Sequence, residues 1–384
     1  MGEAQGHAAD HRVHGMGLAL EAPTWPAITD DEASAVLAHF PAATPIDALR
    51  WHSPRPFSAA TLIDTADGAL LLKRHDRRVR TITGLAEEHR FIAHLAAAGV
   101  PVPDVLRSVD GASAVAIGQR SYELHRRGAG EDVYRDRPSW TPFVSNAHAH
   151  EAGAALARLH RASRGFDAPP RTAQPLVASL SILSAVDPLT DADAYVAARP
   201  ALAAFLAERA WRRRLSSIFA AAGGGLARRI ADQPLLWTHN DWHPSNLLWS
   251  MSGTIETVFD FGLADRTCAA HDLAIAIERT AFAWLKLGEV PDDAIADPTT
   301  ALALLAGYER VRPLSRSEIA TVIALLPLVH VEFALSEIDY FAGVVGDRDG
   351  ALLAWDGYLL GHAEWFLSAP GQDFLAHLRA EYRV

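Results

Sequence analysis

The hydrophobic pattern changes period along the chain. Between about residues 48 and 127, short apolar runs separated by turn residues predict strands. Ser58 to Asp64 and Ala69 to Arg74 are joined through Asp67-Gly68, and Val105 to Val109, Ala112 to Gly118 and Ser121 to Leu124 follow, with Asp110-Gly111 as another turn. Asp-Gly links of this kind favour hairpins, because the tight turn needs positive φ at its centre. Residues 81 to 98 instead place Phe91, Ile92 and Leu95 on one helical face and stop at Gly99, before Pro101 and Pro103. Beyond 128 the spacing is mostly helical, over His148 to Ser163, Ala201 to Ala222, Asp272 to Leu287, Thr299 to Tyr308, Ser315 to Phe341 and Ala351 to Leu367. The interruption is 235 to 262, where apolar strands flank a polar loop in what reads as one hairpin-sized unit. Residues 1 to 25, with His7, His11 and His14 at irregular spacing, read as a flexible leader, and Asp30-Asp31 opens a short helix through Phe40. The expectation is an α+β protein with a mainly antiparallel, strand-rich region at 26–127 and a helical region at 128–384.

Composition narrows the function classes. With 384 residues, the chain can bury a large core. A net charge of -11 argues against a nucleic-acid or anionic-membrane surface. Cys268 is the only cysteine, so neither an intrachain disulfide nor a cysteine-based zinc site can form. A reducing cytoplasm is the simplest compartment. No apolar stretch reaches the roughly 20 residues that span a bilayer, and the first 20 residues have no signal-like core.

The chemistry concentrates in Leu236-Trp-Thr-His-Asn-Asp-Trp-His-Pro-Ser-Asn246 and Val258-Phe-Asp-Phe-Gly262. Asp241 and Asn246 flank a short loop, so one can face an acceptor hydroxyl while the other faces a metal on a nucleotide. Asp260 supplies a charged metal ligand. Phosphoryl transfer needs this set, because its transition state spreads negative charge over oxygens that the protein stabilises with Mg²⁺, fixed dipoles and positioning. Asn246 and Asp260 offer the oxygen donors a hard cation prefers. In this reading Asp241 orients the hydroxyl and takes its proton late.

These residues resemble the H-x-D-x-x-x-x-N loop and D-F-G element that protein kinases share with aminoglycoside phosphotransferases, choline kinases and homoserine-kinase-like bacterial enzymes. The small-molecule branch is the closer likeness: His239-Asn240-Asp241-Trp242-His243-Pro244-Ser245-Asn246, Asp260-Phe261-Gly262 and Asp272-Leu273-Ala274 match its H-G-D-x-H-x-x-N, D-x-G and D-L-A. Asn240 stands where glycine is common, and Cys268-Ala269-Ala270-His271 replaces the Gly-Asp-Pro that often precedes D-L-A.

The resemblance implies a protein-kinase-like two-lobed fold, ATP and Mg²⁺ as cofactors, and as acceptor a hydroxyl of a small metabolite or antibiotic, with or without an amine. It implies that Lys73 pairs with the nucleotide phosphates, that Glu88 rather than Glu87 holds this lysine, and that Glu123, Leu124 and His125 belong to a hinge, ending near Arg126, whose backbone binds adenine. The phosphate-covering turn falls in 53–60 without glycine, leaving small residues such as Ser58. Asp272 is expected to cap its helix and brace the loop, and His239 to stabilise that loop. Trp242 and His243 either pack structurally or border the acceptor, and Glu332, Glu337 and Tyr340 either form one solvated helix face or belong to the acceptor pocket, the acids by ion pairing and the aromatic by cation–π contact. A bacterial stress-response-type protein Ser/Thr kinase ranks second, since only 12 positions separate Asp260 from Asp272, too few for a long activation segment. A nucleotide-binding pseudokinase ranks third, having no need of the full residue set.

Overall fold

The computed structural model describes residues 11–14, 20–41 and 45–384. They fall into two compact units: one comprises the chain up to Glu131 together with Glu256–Phe259, the other Asp132–Ile255 and Asp260–Val384.

In the first unit, β1 (Val13–His14) pairs antiparallel with β2 (Leu20–Glu21), and Val13 is buried. These residues and Trp25, which packs on the core, lie within the expected leader and are structured. His7 lies outside the described residues. Helix α1 (Asp30–Leu37) is capped by Thr29, whose hydroxyl accepts from the Glu32 N–H, and three acids occupy its first turn.

The main sheet is antiparallel, in the order β3 (Ile46–His52), β4 (Ala59–Thr65), β5 (Gly68–Asp76), β7 (Arg120–Arg126), β6 (Val115–Ile117). The Asp67-Gly68 turn closes β4 onto β5 as expected, with Gly68 at φ 115°. The stretch expected as a strand at 105–109 makes only an isolated bridge, Val105 to His125.

Strand period two sorts the two sheet faces. Leu70, Leu72, Tyr122 and Leu124 join Ile63 in the core beneath α1. The alternate positions carry Lys73, His75, Glu123 and His125, and α2 (Ile82–Ala97) reaches this face through His89. The short return segment 256–259 is stitched to the same unit: Val258 N–H donates to Pro101 O, and the Thr257 hydroxyl donates to Ala129 O. A Cβ on Gly128 would meet Thr257 at 2.5 Å, so only glycine fits there.

In the second unit, α3 (Asn146–Ala162) precedes α4 (Pro188–Ala197), α5 (Pro200–Leu206), α6 (Trp211–Ala222) and α7 (Leu226–Ala231). Strands β8 (Leu235–Thr238) and β9 (Leu247–Trp249) flank the polar loop, and β10 (Ile255–Val258) runs into the return segment. The partner of β8 is β11 (Asp265–Cys268), with Thr238 opposite Asp265 and Leu235 opposite Cys268. This corrects the single-hairpin reading: the polar loop and Asp-Phe-Gly are both enclosed by the β8–β11 pair.

Helices α8 (Ala269–Thr280), α9 (Pro298–Val311), α10 (Arg316–Leu325), α11 (Val331–Asp339), α12 (Arg348–Leu353), α13 (Gly361–Leu367) and α14 (Ala369–Tyr382) complete the unit. Three helices read as continuous are broken: 201–222 divides into α5 and α6, 315–341 into α10 and α11, and the run 272–287 stops with α8 at Thr280, with a separate short turn at Trp284–Lys286. Residues 340–345 and 354–360 are π-helical, a widened turn that often marks a functional region. Helices α3 and α9 touch backbone to backbone, since a Cβ on Gly307 would lie 1.8 Å from His150 O and one on Gly153 1.9 Å from Leu304 O. Among the described residues no helix is long and apolar enough to cross a membrane.

Candidate active site

The polar loop is built around one buried carboxylate. Asp272, in the first turn of α8, accepts from the backbone N–H groups of His239 (2.9 Å) and Asn240 (2.8 Å). It also bonds His160 Nε2 at 2.9 Å, and Tyr308 holds the other nitrogen of that ring at 2.8 Å. His160 sits on α3 and Tyr308 on α9, so the close glycine contacts between those helices fix the brace. Burial pushes the Asp272 pKa up, but the hydrogen bond and charge of His160, with the contribution of His239, bring it below the usual carboxylate value. Bracing is as expected; the helix cap is not among the side-chain contacts of Asp272, and Cys268 sits at the cap position.

Asn240 occupies the common glycine position at φ 58°, the left-handed region that asparagine tolerates better than most residues. Its side chain stitches the loop to its surroundings, Oδ1 accepting from Thr238 Oγ1 (2.9 Å) and Nδ2 donating to Leu263 O (3.2 Å). His239 is wholly buried, its ring 4.7 Å from that of Phe261, and its Nδ1 accepts from the Asp241 N–H at 3.2 Å. It shapes the loop. Asp260 also has positive φ, 60°, strain of a kind that persists where surrounding structure over-determines it.

Asn246 Nδ2 donates to Asp241 O (2.9 Å) and Asp241 Oδ2 (3.1 Å). This engages the amide nitrogen and turns the carbonyl oxygen the other way. His243 Nε2 lies 3.4 Å from Asp241 Oδ1, and Ser245 bonds His243 Nδ1 at 3.0 Å.

Asp241 also forms an ion pair that sequence reasoning missed, with Arg279 on α8. The Arg279 guanidinium lies 5.0 Å from the rings of both Trp140 and Phe333. Burial lowers its pKa, against the raising influence of Tyr358 and Glu337. The only available signal was a charged pair, Glu278-Arg279, at the end of the apolar run Leu273–Ile277. Glu337 is wholly buried, and neither carboxylate oxygen has a hydrogen-bond partner. Burial pushes its pKa up to about 8, with Arg279 opposing.

Of the acceptor candidates, Glu332 is engaged elsewhere, Trp242 takes the packing role open to it, and Tyr340 is buried. Trp242 is wholly buried, edge-on to His239, and forms part of the loop's floor. The Glu332 carboxylate is consumed by the 179–183 segment: it accepts from the Ser179 and Ser181 hydroxyls and from the backbone N–H groups of Ser181, Ile182 (2.7 Å) and Leu183. Tyr340 is buried against Phe341 where the π-helical turn begins.

In the first unit, Lys73 Nζ lies 3.6 Å from Glu123 Oε1, and Glu88 is buried on α2. Burial pushes the Glu123 pKa up, but Lys73 and His125 together hold it well below the usual range. Ser58 is half-buried just before β4. The hinge expectation at Glu123–Arg126 is corrected, because these are paired strand residues. Glu123 and His125 face Lys73 and Leu71 of β5, Leu124 O accepts from Leu106 N–H (2.8 Å), and Arg126 N–H donates to Asp104 O (2.9 Å). The Glu123 side chain is engaged as well, by three histidines.

Comparison with known proteins adds three findings. The Phosphotransferase enzyme family matches residues 57–314. A homoserine kinase of Phenylobacterium zucineum is 28% identical over 332 residues, covering 83% of this chain and 88% of that protein. Among solved structures, a microcompartment-associated aminopropanol kinase aligns at TM-score 0.57 and 18% identity over 89% of this chain and 99% of its own. Amicoumacin kinase, solved with AMP-PNP, Ca²⁺ and its antibiotic, aligns at TM-score 0.53 and 16% identity, over 91% of each chain. These structural likenesses establish the shared α+β fold.

Proposed function

Given that this chain belongs to the Phosphotransferase enzyme family, with an alcohol as phosphoryl acceptor, we propose that it moves the γ-phosphoryl group of ATP to the hydroxyl of a small, ammonium-bearing metabolite. The observation that carries this reading is the loop itself. Asp241 and Asn246 are hydrogen-bonded to one another in a segment that Asp272 pins at two consecutive backbone N–H groups.

Asp241 orients the acceptor hydroxyl for in-line attack and receives its proton as the bond forms. To do so it must exchange Arg279 for the hydroxyl. His243, within 3.4 Å of the same carboxylate, borders the acceptor. The Asn246 carbonyl oxygen and the Asp260 carboxylate form an all-oxygen donor set that fits Mg²⁺. Bound there, the ion neutralises charge building on the phosphate oxygens. Lys73 takes the nucleotide phosphates, with Glu88 steadying it and Ser58 in the covering turn. The base contact passes from the paired strand to the segment after Arg126.

Glu337 receives the acceptor's ammonium: a buried carboxylate without a hydrogen-bond partner is stabilised by a cation brought in by the ligand. A hydroxy-amino acid such as homoserine would also offer a carboxylate to Arg279. The test is ADP release with ATP and Mg²⁺ over a panel of homoserine, 1-amino-2-propanol, an aminocyclitol antibiotic and a generic protein substrate, with mass detection of product. A phosphorylated small amine supports the proposal. Phosphate on protein alone, or on none of the panel and no other small alcohol, overturns it.

A further inference from the structure

The sheet face that carries Lys73 also gathers three imidazoles around one carboxylate. His75 Nε2 on β5 lies 2.9 Å from Glu123 Oε1, while His89 Nε2 on α2 and His125 Nε2 on β7 lie 2.6 and 2.9 Å from Oε2. All four residues are buried, none more than 8% exposed. The donor atoms of His89, Glu123 and His125 lie within 4.8 Å of one another. Lys73 already stands beside this carboxylate at 3.6 Å, so neutralising its charge does not require the histidines. On the opposite face of the same strands Leu70, Leu72, Tyr122 and Leu124 join the apolar core.

We propose that His89, Glu123 and His125 form a binding site for one divalent transition metal of the Zn²⁺ class, with water as the fourth ligand; His75, on the other carboxylate oxygen, stands outside this group and steadies Glu123. Two imidazole nitrogens and one carboxylate oxygen are a borderline donor set: too nitrogen-rich for Mg²⁺ or Ca²⁺, and without the thiolates that softer ions select. Three protein ligands are the smallest set that holds such an ion firmly, and all three are buried. Metal bonds of about 2.0–2.2 Å place tetrahedral ligands roughly 3.3–3.5 Å apart, so each hydrogen-bonded contact opens by less than about 1 Å on loading. The donors come from α2 and β7, and the ion therefore ties α2 to the sheet. It also competes with Lys73 for Glu123, loosening the hold of that carboxylate on the phosphate-binding lysine. This inference is independent of the acceptor assigned above.

The experiment uses the full chain without a polyhistidine tag, stripped with a chelator and titrated with Co²⁺, alongside elemental analysis of the protein as purified. The expected result is about one tightly held ion per chain, visible d–d absorption of tetrahedral intensity, and displacement by Zn²⁺. A His89→Asn, His125→Asn double variant should lose the band. If that variant does not fold, the stoichiometry and spectrum of the parent still decide. A parent that gives only weak octahedral Co²⁺ absorption, or a folded double variant that keeps the parental band, overturns the proposal and leaves a hydrogen-bonded cluster.

Discussion

Asp272→Asn perturbs the brace while leaving shape nearly unchanged. The carboxylate accepts two backbone N–H bonds, at 2.9 and 2.8 Å, and bonds His160 at 2.9 Å, in a wholly buried setting. An amide keeps one accepting oxygen and turns an NH₂ toward a neighbour that is itself a donor. Losing one bond to a charged group costs about 1.5–3 kcal/mol, and stranding a buried N–H adds roughly 1–3 kcal/mol. The expected loss is therefore about 2.5–6 kcal/mol. Because the native pKa of Asp272 is depressed, its contribution is present at neutral pH and fades as pH falls through that value, so the variant should also lose part of the parent's acid sensitivity. Urea denaturation at several pH values measures the stability, and steady-state turnover reports the loop, since Asp241 is carried on it. A variant within about 1 kcal/mol of the parent and with parental turnover would refute the brace.

At Asn240, φ 58° makes a Cβ without a compensating side chain unfavourable, so Asn240→Ala should destabilise by about 1–2 kcal/mol from backbone strain plus the lost hydrogen bonds. Asn240→Gly should be milder, and denaturant midpoints in the reverse order would count against a left-handed loop. Glu337 has a native pKa of about 8 against an ordinary 4.5, so the folded state holds the extra proton between those values and stability falls as pH rises through that window. Glu337→Gln should flatten this slope in pH-dependent melting and weaken acceptor binding. An unchanged slope with unchanged acceptor affinity removes Glu337 from the pocket.

What was legible in the sequence is what local periodicity and short motifs encode. The Asp67-Gly68 hairpin, the helix ending at Gly99 and the loop from His239 to Asn246 each announce themselves within a few residues. The pairing of β8 with β11 was hidden, because Asp265–Cys268 has weak alternation and finds its partner across the whole loop. The places of Trp242 and Glu332 were hidden for a related reason: sequence shows that an aromatic or acid is present, but not that the one is buried edge-on to His239 or that the 179–183 segment consumes the other. Arg279 looked like an ordinary helical arginine until the fold set it against Asp241. Alternation along β5 and β7 put Lys73, His75, Glu123 and His125 on one face, yet His89 joins them only through the packing of α2.

The central claim is that Asp241 serves the acceptor hydroxyl and not the folding of the loop. Asp241→Asn keeps the shape and the Asn246 contact to Asp241 O while removing the charge opposite Arg279. The decisive measurement pairs calorimetric binding of ADP with Mg²⁺ against product formation on the acceptor found in the panel. The account predicts near-parental nucleotide affinity with turnover reduced by about 10²–10⁴-fold. Parental turnover, or loss of nucleotide binding together with the fold, would contradict it.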